Sequence, residues 1–365
     1  MRIFIAGDLC CKAPNSVEIS DNLHSLIKSS DLSIINFEAV LDNNYLSSYC
    51  KSGPKIKQPA AIVEWLKYYG FNFIATANNH IMDYGLQCFD YTRELLTTFP
   101  YVIGSGSWDE AYKMQIVSVE DIKIGFLNLT ELQFGVLSEN KFNTHKGAAW
   151  INHFSVDNIV VEAKNQVDFL IIVAHAGLEM AEVPLPEWRD RYKQLINLGC
   201  DAVVAHHPHV VQGYETYKNK PIFYSLGNFC FSKLDNFDSP NWNIGACVVL
   251  DISSTNFSFS FLGITFDGQK ISLIDDEIWN KKVLYLNSLL GSSYMEYVNK
   301  ACLKALPDYW QLMHMSGLIH KDKYFIKSLL RWILRKYSEV HLINVLQCES
   351  HRWAFLRALS ITNNL

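Results

Sequence analysis

The chain has 365 residues, 49% apolar and 19% charged, with 37 acidic against 32 basic side chains and a net charge of −5. That balance excludes a disordered chain, and the length allows one large domain or two. The charge is uneven, because residues 281–365 hold 12 basic and 5 acidic side chains and residues 1–280 hold 20 and 32. An acidic body repels phosphate backbones, so a nucleic-acid partner is not expected. No apolar run approaches the ~20 residues of a membrane-spanning helix. Nine scattered cysteines, odd in number and without a C-x-x-C pair, fit a reducing compartment. Gly7-Asp8 follows so soon after Met1 that no signal peptide is expected, and a cytoplasmic protein is the resulting expectation.

In chain order, short β-rich runs recur at 2–6, 32–36, 71–76, 168–174 and 201–205. Helical stretches separate several of them. Residues 60–69 place Ile62, Trp65, Leu66 and Tyr69 on one 3.6-residue face, and 86–96 and 188–198 read as further helices. This alternation predicts a largely parallel, helix-covered sheet. A hairpin interrupts it, with strands at 114–119 and 123–129 around a Glu120-Asp121 turn. From about 221 the runs 221–226, 244–252, 256–266 and 270–274 read as successive antiparallel strands joined by tight turns such as Asp267-Gly268. They predict a second sheet packed on the first, with helices outside. After Asp276 the chain reads as helical. Residues 323–346 carry Ile326, Leu329, Leu330, Ile333, Tyr337 and Val340 on one face, with Lys327, Arg331 and Arg335 along another ridge.

Five polar clusters each follow a β-like run: Gly7-Asp8, Asn36-Phe37-Glu38, Asn78-Asn79-His80 with Asp83, His175 with Glu179, and His206-His207-Pro208-His209. Side chains just beyond the carboxyl ends of buried strands converge on one crevice, and these are carboxylates, amides and imidazoles suited to divalent metals. Asp8, Asn79, His175, His207 and His209 are candidate terminal ligands, and Glu38 can bridge two cations with its two oxygens. Such a pair clamps the attacking and leaving oxygens of an in-line displacement. His80, with Asp83 three residues on to hold its second ring nitrogen, fits a general acid for a leaving oxygen. Asn36 reads as a support for the ligands rather than a ligand. Glu179 can orient His175 or cap a helix, and His206 lies next to the ligands without an assigned role. Gly227-Asn228 reads equally as a wall of the site or a tight turn.

The segments Asn36-Phe37-Glu38, Ala75-Thr76-Ala77-Asn78-Asn79-His80 with Asp83 and Gly85, His175-Ala176-Gly177 with Glu179, Ala205-His206-His207-Pro208-His209-Val210-Val211-Gln212 and Tyr224-Ser225-Leu226-Gly227-Asn228-Phe229 resemble one family. It is the CapA-type bacterial capsule and poly-γ-glutamate synthesis family, within the calcineurin-like metallophosphoesterase superfamily. The resemblance spans roughly residues 1–275 and implies an α/β fold, a four-layer sandwich of two packed β-sheets flanked by helices. Domain bounds follow as 1–278 for a metallophosphoesterase-like domain and 279–365 for a helical C-terminal subdomain. The resemblance assigns Asp8, Glu38 and His209 to one metal, Glu38, Asn79, His175 and His207 to the other, and His80 as the acid. It implies two divalent ions, manganese, iron or zinc. One position departs from the superfamily pattern: a histidine usually stands two residues after the first aspartate, and here it is Cys10. Cys10 reads as a packed thiol, with thiolate ligation as the alternative.

The function this supports is a metal-dependent hydrolase, a phosphoesterase, in synthesis of a bacterial surface polysaccharide or poly-γ-glutamate, acting on a phosphorylated or polymeric substrate. Two alternatives remain: hydrolysis of an amide or glycosidic bond in the polymer, or a non-catalytic role in a membrane-associated capsule synthesis complex. The basic C-terminal stretch motivates the second, through peripheral contact with the inner membrane face.

Overall fold

The computed structural model describes residues 1–43, 51–119, 121–138, 146–233, 240–253, 257–315 and 335–364. Every residue of strand Arg2–Cys10 after Arg2 is buried, because the strand lies inside a sheet covered on both faces. Among the described residues that sheet has nine strands. Its order is Glu18–Ile19, Lys270–Leu273, Phe257–Phe266, Ile244–Ile252, Arg2–Cys10, Leu32–Phe37, Phe73–Ala75 and Tyr101–Ile103, with Asn228–Phe231 also paired to Arg2–Cys10. A second sheet runs Tyr214–Tyr217, Lys220–Phe223, Ala202–His206, Phe169–His175, Ile122–Thr130 and Gln115–Val119.

This sorting differs from the sequence expectation. The three antiparallel strands after residue 244 do not build a sheet of their own but extend the first sheet through Ile244–Ile252 beside Arg2–Cys10. The later parallel strands, 169–175 and 202–206, join the hairpin to form the second sheet. The strands themselves lie where the hydrophobic runs place them. Their partners depend on long-range pairings that a local pattern does not encode.

The two sheets pack face to face. Ile3, Ile5, Ile34 and Phe73 of the first meet Phe126, Leu170, Ile172 and Val204 of the second in one apolar cluster. The other face of the first sheet is covered by helices Asp21–Lys28 and Ala61–Tyr69, through Leu23, Ile27, Ile62, Trp65 and Leu66. Helix Ala61–Tyr69 stops at Gly70, whose φ of 93° is a left-handed cap that favours glycine. Helices Val156–Lys164 and Pro186–Asn197 cover the second sheet, the latter opening on the proline tolerated at a first helical position. The architecture is therefore the four-layer α/β sandwich.

The C-terminal part is helical in Asp276–Ser288, Tyr294–Met315, Arg335–Gln347 and Glu349–Thr362. Of the expected helix at 323–346, residues 323–334 lie outside the described residues, and the chain is helical from Arg335. Trp279 packs on Phe261, ring centroids 5.3 Å apart, and Trp353 stands edge-on to Trp188 at 5.0 Å. These contacts seat the helices on the strands and helices of the body. Among the described residues, no helix is long and apolar enough to cross a membrane.

Candidate metal centre

The parallel strands of both sheets end at one edge, and the polar clusters meet there. Asp8 lies within its strand rather than beyond it, next to a register shift between Asp8 and Leu9 in the pairing with Asn228–Phe231. Such a bulge re-aims a side chain. Gly7 makes the approach possible: a Cβ there would lie 2.2 Å from the Gly227 carbonyl oxygen. Glu38 follows Leu32–Phe37 directly, and His175 and His206 are the last residues of their strands, paired in register. His207 and His209 have φ of 98° and 59°, uncommon for residues with a Cβ. That local backbone strain turns successive imidazoles into the same crevice.

Two groups of ligand atoms result, and Glu38 belongs to both. Glu38, His175 and His207 form one and Asp8, Glu38 and His209 the other, all atoms of a group lying within 4.8 Å of one another. In the first group, Nε2 of His175 is 3.0 Å from Oδ1 of Asn79, 3.0 Å from Nδ1 of His207 and 3.5 Å from Oε1 of Glu38. In the second, Nε2 of His209 is 3.6 Å from Oε1 of Glu38, and its Nδ1 is 3.7 Å from Oδ2 of Asp8. The six residues proposed as ligands from the sequence are therefore contiguous and buried.

The supporting residues are just as specific. Asn36 donates from Nδ2 to Asp8 at 2.6 Å, and the same nitrogen is 3.0 Å from Nδ1 of His175. Asn228 places Oδ1 3.0 Å from Nδ1 of His209 and donates to the Trp242 carbonyl. Asn78 accepts from the His80 backbone N–H and donates to the Phe37 carbonyl at 2.8 Å, tying two strand ends together. His206 points away from the ligands: its ring nitrogens face the Ala174 and Ala6 carbonyls at 3.1 and 3.0 Å, bracing one sheet against the other. Glu179 heads no helix, since the next one starts at Pro186, and its Oε1 lies 4.0 Å from Nε2 of His207 rather than beside His175. Cys10 is buried among Ala39, Ile56, Phe231 and Trp242, and burial first, then Glu38, pushes its thiol far up.

Electrostatics single out Glu38. Both of its oxygens are buried and lack a hydrogen-bond partner among the described residues. Burial first, then the Asp8 carboxylate, raises it well above the usual carboxylate range. An uncompensated buried carboxylate costs several kcal/mol, so without metal Glu38 is driven towards its neutral form, and a cation held beside it would favour the charged one. Burial, followed by the neighbouring histidines, holds His175 well below its ordinary value. Burial likewise lowers His209, against Asp8 and Glu179. Neutral imidazoles beside carboxylates are the donor set that divalent ions require.

Two residues that the sequence reading missed complete the site. Lys51, with 4% of its side chain exposed, forms an ion pair with Asp83 and donates to the Asn79 carbonyl at 3.3 Å. Asp83 also accepts from Nδ1 of His80 at 2.7 Å, which fixes the proton there and leaves Nε2 as the second ring nitrogen. Burial lowers His80, Asp83 opposes it and Lys51 lowers it further, so the net direction is down. In the sequence Lys51 does not follow a β-like apolar run, so nothing local marks it. Glu131 is different. It follows the buried strand Ile122–Thr130, the same rule that flagged the other clusters, and its Oε1 is 3.0 Å from Nε2 of His207. Burial alone would lower His207, but the bond and charge of Glu131 outweigh it and raise that imidazole.

The model of the family described as bacterial capsule synthesis protein PGA_cap matches residues 3–233, and the chain belongs to that family. It is 29% identical over 215 residues to the PGA biosynthesis protein CapA of Bacillus subtilis (strain 168), covering 57% of this chain and 55% of that protein. It is 27% identical over 219 residues to the capsule biosynthesis protein CapA of Bacillus anthracis, covering 57% and 52%. The chain thus spans about half the length of the curated relatives it matches. Among solved structures, a hypothetical protein from Thermus thermophilus is similar at a TM-score of 0.45 and 11% identity, over 72% of this chain and 98% of the other.

Proposed function

We propose that the chain is a metal-dependent phosphoesterase that serves synthesis of a bacterial surface polymer. The observation that carries the chemistry is Glu38: a buried carboxylate with two unpartnered oxygens among the described residues, shared by two groups of carboxylate, amide and imidazole ligands. Asp8 and His209 would hold one divalent cation and Asn79, His175 and His207 the other, with Glu38 between them. When bound, the pair supplies positive charge to phosphoryl oxygens and activates water near neutral pH.

The remaining residues prepare and position. Asn36 and Asn228 fix Asp8 and His209, and burial keeps His175 and His209 unprotonated. His80 follows Asn79 in the chain; Asp83, itself paired with Lys51, accepts from Nδ1 and leaves Nε2 as the other ring nitrogen. A nitrogen held in this way can pass a proton to a departing oxygen once it has taken one up. The polymer role is supported by family membership and by the names of the two CapA relatives.

The test uses the full chain, freed of metal by chelation and reloaded with Mn²⁺, against a panel of phosphomonoesters and phosphodiesters. Turnover should require Mn²⁺, be abolished by Asn79→Ala, and fall about 10²–10⁴-fold in His80→Ala, the usual range for a proton-transfer group. A Mn²⁺-loaded chain that cleaves none of the panel, or only amide or glycosidic bonds of a polymer, would refute the proposal.

A further inference from the structure

The C-terminal helix Glu349–Thr362 begins against the metal centre. Glu131, fully buried, is the point of contact, and its two oxygens face in different directions. Oε1 accepts from Nε2 of Gln133 at 2.9 Å and lies 3.0 Å from Nε2 of His207. Oε2 accepts from the backbone N–H of Ser350 at 3.1 Å and from its hydroxyl at 2.5 Å. Ser350, itself fully buried, accepts in turn from the indole N–H of Trp188 at 2.8 Å. The preceding residue, Glu349, accepts from the Leu132 backbone N–H at 2.9 Å, from Trp150 at 3.0 Å and from Asn152 at 2.9 Å.

We propose that this helix is an arm of the metal centre, in which Ser350 anchors Glu131 and Glu131 in turn orients His207. The proposal rests on reading Glu38, Asn79, His175 and His207 as metal ligands. A carboxylate bound to one ring nitrogen fixes the proton there and leaves the other nitrogen's lone pair for the metal. Here the proton stays on Nε2, facing Glu131, and Nδ1 faces Nε2 of His175 at 3.0 Å. Cutting away the Ser350 hydroxyl removes one of the two hydrogen bonds that this helix gives to Oε2 of Glu131. Glu131 is then held less firmly, and the imidazole loses part of its orientation. Ser350 and Glu131 are positioning residues, because neither lies among the candidate ligand atoms.

The test is Co²⁺ titration of the full chain, read by visible absorption, which reports ligand geometry independently of turnover. The parent should bind two equivalents. Glu131→Leu should weaken one of them by about 10–100-fold and shift its absorption band, the range seen when such supporting partners are removed. Ser350→Ala should weaken the same equivalent less, and Glu131→Gln, which keeps an acceptor for His207, should recover most of the loss. Arg357→Ala, on the same helix as Ser350, breaks the 2.8 Å pair with Glu187 of helix Pro186–Asn197 and should leave both equivalents and their spectrum unchanged. Parent-like affinity and spectrum in Ser350→Ala and Glu131→Leu would overturn the proposal while leaving the metal centre intact. A parent that binds no Co²⁺ would overturn the ligand reading, and this proposal with it.

Discussion

Substituting Glu38 by glutamine should move stability in opposite directions with and without metal. In the metal-free protein, burial and Asp8 raise Glu38 well above its ordinary value of 4.5. A raised folded value means that the folded state binds the proton more tightly than the unfolded chain. The group's contribution is therefore lost as pH rises above 4.5 towards the folded value. Glutamine keeps the volume and removes the charge, which should relieve about 1–3 kcal/mol at neutral pH. Unfolding entropy of about 2.1 cal/mol/K per residue over the chain gives roughly 0.8 kcal/mol/K, so metal-free Glu38→Gln should melt about 1–4 °C above the metal-free parent. Metal reverses the order. Mn²⁺ at about 100 times its Kd adds about 2.7 kcal/mol per site, or roughly 3–4 °C, and twice that for two sites. Glu38→Gln should lose most of that rise. The assay is calorimetry of chelator-treated parent and variant, from about pH 4.5 to 8, with and without Mn²⁺. A variant that melts well below the metal-free parent yet keeps the full Mn²⁺ response would refute the reasoning.

Two further outcomes follow from groups outside the cluster. Cys10→Ala should cost about 1 kcal/mol, as expected for trimming a packed thiol, and leave the number of bound Mn²⁺ ions unchanged; loss of one ion by elemental analysis would make Cys10 a ligand. Burial would raise Glu215, but Arg189, Tyr224 and Lys193 outweigh it and hold it at about 2 against an ordinary 4.5. Its side chain is 21% exposed, so the lowered value is worth on the order of 3 kcal/mol above pH 4.5 and is lost as pH falls towards 2. Denaturant melts of Glu215→Gln should show that deficit at about pH 7 and a shrinking one below pH 4.5; a pH-independent deficit would contradict it.

The candidate site was legible because every candidate ligand except Asp8, which lies inside Arg2–Cys10, stands at or shortly past the end of a buried strand, where hydrophobic pattern marks the boundary. The same rule reaches Glu131 when Ile122–Thr130 is followed to its end rather than treated only as half of a hairpin. Lys51 has no such mark, since its role depends on an ion pair with Asp83, 32 residues further along the chain. The grouping of strands into sheets was also out of reach. Ile244–Ile252 pairs with Arg2–Cys10 from far along the chain, and nothing in either segment names its partner. Ser350 is the extreme case, joined to Glu131 over a separation of 219 residues by a serine that looks like any other in a helix.

The central claim is that Glu38 joins two divalent ions in one centre. Electron paramagnetic resonance of the full chain loaded with two equivalents of Mn²⁺ tests it most directly. A carboxylate-bridged pair gives an exchange-coupled spectrum, and Glu38→Gln should remove the coupling. Two equivalents giving only the signal of isolated Mn²⁺, unchanged in Glu38→Gln, would contradict the account.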